Sequence, residues 1–282
     1  MTEFKDSAVV VLGHGTTLNP YSEKPVLQHV AELRRRGEFA EVREAFWKQE
    51  PRIQDVLASL EQRRVFIVPL FISEGYFCEQ VIPEALGFRR AGEPAGFCRV
   101  LNREGQEWRY CRPVGTHRSM TMVLRARAED IARQFPFPRP PRLEETTLLI
   151  AGHGTGQNEN SRRAAEDQAK LLGCAGVFAE VRAVFMEEEP YIRGCEASCR
   201  TRNVIVVPFF ISDGLHAQED IPVLLGTPER IVRERLATGR PAWRNPTEKG
   251  GKLIWYTKSI GGEPHVADVI VQLAKDSAED LV

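Results

Sequence analysis

Two histidines of this 282-residue chain stand in contexts that suit metal and proton chemistry. His153 lies between two glycines at the end of an apolar run, LLIAGHGT, so its ring can face a cleft. His216 lies in the later segment SDGLHAQEDIP. Neutral imidazole is a common ligand for borderline divalent metals, and it is also a base near neutral pH. Either histidine could instead serve only its own loop, His153 through a local hydrogen bond and His216 as an exposed side chain.

A run of glutamates in the segment FMEEEPYI supplies a candidate carboxylate. We favour Glu187, but Glu188 or Glu189 could take its place, because only four residues separate Phe185 from Pro190. Three consecutive acidic residues also suit an exposed helix start, where negative charge interacts favourably with the helix dipole. The residues alone leave both interpretations open.

The chain contains two tandem copies of one sequence. Three blocks of the first half recur in the second half at a constant spacing of 139 residues. The paired blocks are VVVLGHGT with LLIAGHGT, EVREAFWKQEPRI with EVRAVFMEEEPYI, and VFIVPLFISEG with VIVVPFFISDG. One spacing that holds over three blocks indicates a duplicated domain. The proline-rich segment FPFPRPPRLEE separates the copies, and we predict two domains, residues 1–138 and residues 139–282.

The copies differ at the positions that could carry chemistry. The first copy keeps His14, the counterpart of His153, in the same GHGT context. It has Phe77 at the position of His216 and Lys48 at the position of Glu187. Because a cation repels a metal ion, we predict that the second copy holds the active site and that the site of the first copy is degenerate.

The elements that must position these residues follow from the hydrophobic pattern. Each copy alternates short apolar strands with amphipathic helices, which is typical of a parallel sheet covered on both faces. We therefore predict an α/β fold with two similar three-layer sandwich domains. Ligands of such sheets bind beyond the carboxyl ends of the strands, where GHGT and SDGLH lie. The copies diverge over residues 89–108 and 227–251. Both segments are rich in glycine, proline and charged residues, which predicts surface loops with short helical pieces.

The overall composition excludes several classes of protein. A net charge of −1 and an isoelectric point near 6.6 do not suit a general binder of nucleic acid or anionic membranes. No apolar run approaches the roughly 20 residues that cross a bilayer. The first residues lack the basic region and cleavage site of a signal peptide, so we expect a cytoplasmic protein.

The combined motifs resemble those of the class II chelatase family, the group of sirohydrochlorin cobaltochelatases and ferrochelatases. The resemblance rests on GHGT, EVR, the glutamate before Pro190, and the Gly-x-His-x-x-x-Asp-Ile-Pro segment from Gly214 to Pro222. It extends over both copies, as in the long two-repeat form. It implies two chelatase-like lobes with the active cleft between them. It also implies ATP-independent insertion of cobalt or iron into sirohydrochlorin, towards cobalamin or sirohaem.

The resemblance also implies roles for individual residues. His153 and His216 would be metal ligand and proton acceptor, in either order, and Glu187 would assist metal entry or proton removal. A base is required because the macrocycle loses two pyrrole N–H protons when the metal enters. Substrate carboxylates would need guanidinium or main-chain N–H partners. The candidate substrate contacts are Arg162, Arg182, Thr155 and Gly214.

Further expectations concern cofactors, partners and alternatives. No cofactor is expected beyond the substrate metal ion, Co²⁺ or Fe²⁺. No iron–sulfur cluster is expected either, because the chain lacks the cysteine cluster and the polyhistidine stretch of some long relatives. The expected partners are a tetrapyrrole and a divalent metal, with the protein a monomer or a homodimer. One alternative is a non-catalytic tetrapyrrole or metal carrier, motivated by the degenerate first copy. A phosphoryl-transfer enzyme is weaker, because GHGT lacks the spacing of a P-loop.

Overall fold

The computed structural model describes residues 4–16, 22–90, 92, 97–154 and 159–279. The β-strands in these ranges are β1 (Phe4–Gly13), β2 (Phe39–Phe46), β3 (Arg64–Pro69), β4 (Val100–Arg103), β5 (Gln106–Tyr110), β6 (Thr146–Gly152), β7 (Glu180–Phe185), β8 (Asn203–Pro208), β9 (Thr247–Lys249) and β10 (Lys252–Tyr256). The α-helices there are α1 (Lys24–Arg36), α2 (Ile53–Ala58), α3 (Ile82–Leu86), α4 (Met120–Gln134), α5 (Glu159–Cys174), α6 (Ile221–Leu224), α7 (Glu229–Ala237) and α8 (Val266–Ala278). No helix in the described ranges is long and apolar enough to cross a membrane.

The chain folds into two compact units, each with a five-stranded sheet. Unit 1 combines Met1–His117 with Pro264–Val282, and unit 2 is Arg118–Glu263. The strand orders are β2-β1-β3-β5-β4 and β7-β6-β8-β10-β9. In both sheets the first four strands are parallel and the last pairs antiparallel. The residues from Ala8 to Leu12 are all fully buried, as expected for a central strand covered on both faces. The predicted α/β fold with two similar domains is confirmed.

The parallel register brings the ends of three strands of unit 2 to one edge of the sheet. Gly152 at the end of β6 lies opposite Phe185 at the end of β7. Its neighbour Ala151 lies opposite Pro208 at the end of β8. The loops that carry the histidines and glutamates of the second copy therefore leave the sheet side by side.

The last helix of each sequence copy packs in the unit built on the other copy. In unit 1, Asp276 of α8 lies 3.0 Å from Nε2 of His117. In unit 2, Arg127 of α4 donates a hydrogen bond of 3.0 Å to the carbonyl oxygen of Ser259. The compact units thus differ from a division after residue 138, because that division follows the sequence repeat and the packing exchanges the two helices.

The segments in which the copies diverge contain strands that the sequence did not reveal. Residues 89–108 include β4, and residues 227–251 include β9 as well as the helix α7. Both edge strands pair antiparallel with the strand that follows them. All three side chains of β9 are polar, and β4 has two apolar residues followed by two polar ones, so neither shows the continuous apolar run of a buried strand. The prediction of loops was therefore wrong for β4, for β9 and for residues 106–108, which begin β5.

Candidate functional site

His153 follows β6 in a loop whose shape depends on glycine. Gly154 has φ of 65°, and an added Cβ would lie 2.7 Å from the Cβ of Phe185 and from the Cγ of Glu188. A side chain at this position would therefore be strained by both the backbone angle and the contact. The glycine lets the His153 loop lie directly against the glutamate segment.

Main-chain hydrogen bonds fix the glutamate segment to the same loop. The N–H groups of Met186 and Glu187 both donate to the carbonyl oxygen of His153, at 3.0 and 3.2 Å. The carboxylate of Glu187 is thereby held with Oε2 3.8 Å from Nδ1 of His153, and its side chain is 57% exposed. Glu188 is instead paired with Arg162 at 3.2 Å. Of the three consecutive glutamates, Glu187 is the one whose carboxylate faces the His153 ring within 4.0 Å.

His216 begins a π-helical turn, His216–Asp220, in the loop region after β8. Nδ1 of His216 lies 2.7 Å from Oδ2 of Asp220. The turn is held from outside by the hydroxyl of Tyr256, which donates to the carbonyl oxygen of Ala217 at 2.6 Å. The side chain of Gln218 donates to the carbonyl oxygen of Asp213 at 2.6 Å. The main chain on both sides of His216 is thus held by hydrogen bonds, and the imidazole itself is held by Asp220.

The two imidazole rings meet at the sheet edge. Their centroids are 4.8 Å apart, with an interplanar angle of 84°. In both rings Nδ1 faces an oxygen acceptor, Asp220 for His216 and the carbonyl oxygen of Gly154 for His153. When neutral, each ring therefore carries its proton on Nδ1 and keeps a lone pair on Nε2. Their side chains are 28% and 47% exposed, so a ligand can reach them.

The arrangement can hold a metal ion loosely and can accept protons. Two imidazoles are ligands for divalent first-row metals, and a carboxylate lies beside one of them. In the described part of the chain, no group of three or more His, Cys, Asp and Glu side chains is arranged to hold a metal ion. Both imidazoles of the pair are partly exposed, which suits a metal that is bound and then released more than one that is permanently enclosed.

Unit 1 repeats this geometry with different side chains. The rings of His14 and Phe77 are 4.7 Å apart at 84°, nearly the values of the histidine pair. The N–H of Lys48 donates to the carbonyl oxygen of His14 at 2.8 Å, as that of Glu187 does to His153. The ammonium of Lys48 lies 5.3 Å from the Phe77 centroid. Burial, and then the charge of Lys48, lower the pKa of His14 below its usual 6.5.

The predicted substrate contacts have varied surroundings. Arg162 bonds Glu166 at 2.8 Å as well as Glu188. Arg182 lies three residues before the end of β7 and donates to the carbonyl oxygen of Cys195 at 3.2 Å. That places it roughly 10 Å below the strand end, given about 3.3 Å per residue. Gly214 accepts the N–H of Gln218 at 2.9 Å, and Thr155 lies outside the described residues.

Two further residues, which were not assigned from the sequence, lie on the His216 loop or on a loop bonded to it. Asp220 supports His216 directly, and its signal was the spacing of four residues within one helical turn. Lys258 is exposed just after β10, and the adjacent Ser259 N–H donates to Asp213 at 2.7 Å, which ties this loop to the His216 loop. Lys258 forms no ion pair with the described residues. Nothing in the sequence marked it, because it lies where the copies no longer share the 139-residue spacing.

Comparison with known proteins identifies the family. The CbiX family model matches residues 8–131 and 147–277, one match in each sequence copy. The chain belongs to the CbiX family. Because each sequence copy gives its own match, the predicted resemblance to the chelatase family over both copies is confirmed.

Individual relatives of this CbiX-family chain are similar over most of its length. It is 40% identical over 279 residues to a probable sirohydrochlorin cobaltochelatase of Halobacterium salinarum, covering 96% of this chain and 91% of that protein. A structure from Deinococcus radiodurans, described as multi-domain and structurally similar to chelatases, matches with a TM-score of 0.76 at 28% identity. That match covers 96% of this chain and 55% of the longer protein. SirB from Bacillus subtilis with Fe³⁺ matches with a TM-score of 0.65 at 17% identity over 98% and 96% of the two chains, which shows the shared fold.

Proposed function

We propose that this protein inserts a divalent metal ion into sirohydrochlorin without ATP, and that unit 2 carries the reaction. The observation that carries the proposal is the pair of imidazoles, 4.8 Å apart, whose Nδ1 contacts leave Nε2 unprotonated in the neutral rings, with no hydrogen bond to either Nε2 atom among the described residues. The name of the Halobacterium salinarum relative supports the substrate. The metal is Co²⁺ or Fe²⁺, since imidazole binds both and geometry decides between them.

The metal is first held by Nε2 of His153 and of His216. Two neutral ligands bind a divalent ion weakly enough for four macrocycle nitrogens to replace them. Asp220 accepts the Nδ1 proton of His216, which orients the ring and fixes the tautomer that leaves Nε2 for the metal. Glu187 is the exposed carboxylate beside this pair, and it attracts the incoming cation.

Proton removal is coupled to the transfer of the metal. Sirohydrochlorin loses two pyrrole N–H protons as the ion enters, so two bases are needed within hydrogen-bond reach. Each imidazole that releases the metal regains a lone pair and can take one of these protons. The resulting imidazolium cations are stabilised by Asp220 on one side and by Glu187 on the other. Each histidine is thus first a metal ligand and then a proton acceptor.

The carboxylates of the substrate require cationic partners near the strand ends. Lys258 fits that requirement, because it is exposed on a loop bonded to the His216 loop. Arg162 is engaged by two glutamates, and Arg182 is bonded within unit 2 to the turn that begins at Cys195. We therefore assign the main carboxylate contact of unit 2 to Lys258.

The test is metal insertion by the purified chain. Sirohydrochlorin and Co²⁺ or Fe²⁺ are mixed anaerobically, and the change in the tetrapyrrole absorbance is followed. We expect turnover with at least one metal, its loss in His153→Ala and in His216→Ala, and a much milder effect of His14→Ala. Tight binding of sirohydrochlorin without turnover by any metal would instead support a carrier. Equal losses in all three variants would contradict the assignment of the reaction to unit 2.

A further inference from the structure

The strand β7 lies at the edge of the unit 2 sheet, and part of its outer side is unpaired. At its end, the N–H of Phe185 donates to the carbonyl oxygen of Pro190, and the N–H of Ile192 donates to that of Phe185, both at 2.8 Å. Because outward residues alternate along a strand, the main-chain groups of Ala183 and Val181 point the same way. Within the described ranges, no hydrogen bond reaches those outward groups.

The equivalent edge of unit 1 is covered by an arginine. Nε of Arg34 in α1 donates to the carbonyl oxygen of Val42 in β2 at 2.9 Å. The same guanidinium pairs with Glu44 at 2.7 Å. The residues 139 positions later are Gly173 in place of Arg34 and Ala183 in place of Glu44. Charged side chains protect an edge strand from pairing with another chain, and unit 2 lacks that protection.

A groove of about 500 Å³ lies beside the uncovered strand, between α5 and β7. Ala169, Gly173 and Cys174 line it from the helix, and Val181 and Ala183 line it from the strand. A Cβ added at Gly173 would meet nothing within 4 Å. The small side chains therefore leave room for a second chain to reach the outer edge of the strand.

The sequence of β7 is complementary to itself in the antiparallel direction. When Val181 lies opposite Val181 of a second copy, their outward N–H and C=O groups exchange two hydrogen bonds. Glu180 of each copy then lies opposite Arg182 of the other, and such a cross-strand pair is stabilising. Because these two side chains are already 3.6 Å apart within one chain, four alternating charges result. A register with Arg182 opposite Arg182 is disfavoured, since like charges would face each other.

We propose that a second copy of this chain pairs with the outer edge of β7, antiparallel and centred on Val181. The product is a twofold-symmetric homodimer in which the two five-stranded sheets of unit 2 become continuous. The proposal is independent of the proposed function, because it uses neither histidine of the pair and neither Glu187 nor Asp220.

The first experiment measures the mass of the full chain by sedimentation equilibrium over a range of concentrations. The wild type should approach twice the 31.8 kDa of one chain. Gly173→Arg with Ala183→Glu gives unit 2 the residue types that cover the unit 1 edge, and it should weaken the association at least about tenfold. Gly173→Arg alone changes one exposed helix residue and should act in the same direction, which keeps the test valid if the double variant misfolds.

A matched control adds the same two residue types away from the edge. Ala237→Arg with Thr238→Glu changes exposed positions at the end of α7, and this variant should associate as the wild type does. Circular dichroism checks that all variants are folded. A wild type that stays monomeric at the highest soluble concentration would leave the edge open to an extended segment of another protein, and would overturn a second copy as its occupant.

Hydrogen exchange locates the interface. The outward amide of Val181 should exchange more slowly as the protein concentration rises, because pairing gives it an acceptor. The amide of Arg182 points inward to β6 and should be slow at every concentration. A dimer that persists in the folded Gly173→Arg, Ala183→Glu variant, with Val181 exchange independent of concentration, would put the interface elsewhere and refute the proposal.

Discussion

Giving unit 1 the side chains of the histidine site of unit 2 should create a second metal site in the chain. The triple variant Phe77→His, Lys48→Glu, Val81→Asp gives unit 1 the residue types that unit 2 has at His216, Glu187 and Asp220. The backbone already suits this change, because the ring pairs of the two units have centroid distances of 4.7 and 4.8 Å and the same angle of 84°. We expect the bound Co²⁺ to rise from one to two per chain.

The charge at position 48 should decide whether the rebuilt site fills. The ammonium of Lys48 is 5.3 Å from the Phe77 ring centroid. At the dielectric constant of water, a unit charge and a divalent ion at that separation repel by about 1.6 kcal/mol. A carboxylate there would attract by a similar amount, so the swing is about 3 kcal/mol, or about a hundredfold in affinity.

The assay is Co²⁺ binding by equilibrium dialysis in about 0.01 M salt, where screening over this distance is small, with the ligand-field absorbance as a second measure. The double variant Phe77→His, Val81→Asp, which keeps Lys48, is the matched control. It should bind the second ion about a hundredfold more weakly than the triple variant does. If the triple variant is folded by circular dichroism and still binds one ion, the equivalence of the two sites is refuted. If the double variant binds the second ion equally well, the role given to Lys48 is wrong.

Three further predictions follow from individual contacts. Asp220→Asn should lower the Co²⁺ affinity about tenfold to a hundredfold, because the ring loses its anionic acceptor, and an unchanged affinity would contradict the orienting role. The pKa of His14, followed by NMR, should lie below 6.5 and rise in Lys48→Met, while staying below 6.5 because burial is the larger cause. Since the folded pKa is lowered, the contribution of His14 to stability should be lost as the pH falls below about 6.5. Gly261→Ala should lower the free energy of unfolding by about 1–3 kcal/mol or more, as its Cβ would lie 1.8 Å from a carbonyl oxygen. Gly173→Ala, with open space around it, should not be destabilising.

Much of the fold could be predicted from the sequence, because the same pattern of strands and helices occurs in both copies. Two copies of each apolar strand, each followed by an amphipathic helix, predicted a parallel sheet covered on both faces. The edge strands β4 and β9 could not be found in this way. Neither has the continuous apolar run of a buried strand, and both are defined by their hydrogen bonds to β5 and β10.

The sequence also could not predict that the last helix of each copy packs in the unit built on the other copy. The amphipathic pattern of α4 and α8 predicts that each covers an apolar sheet face, but both sheets offer the same kind of face. The choice follows from particular contacts, such as that of Asp276 with His117 and that of Arg127 with Ser259. These pairs are 159 and 132 residues apart in the chain.

The sequence by itself determined that the chain is a duplication and that His153, His216 and Glu187 occur together only in the second copy. These facts depend on residue types at a fixed spacing, so they need no coordinates. Only the tertiary structure decided which glutamate faces His153, which carboxylate supports His216, and that Lys258 lies on a loop bonded to the His216 loop. Those relations depend on hydrogen bonds between loops that leave neighbouring parallel strands, and such strands are adjacent in space but far apart in the chain.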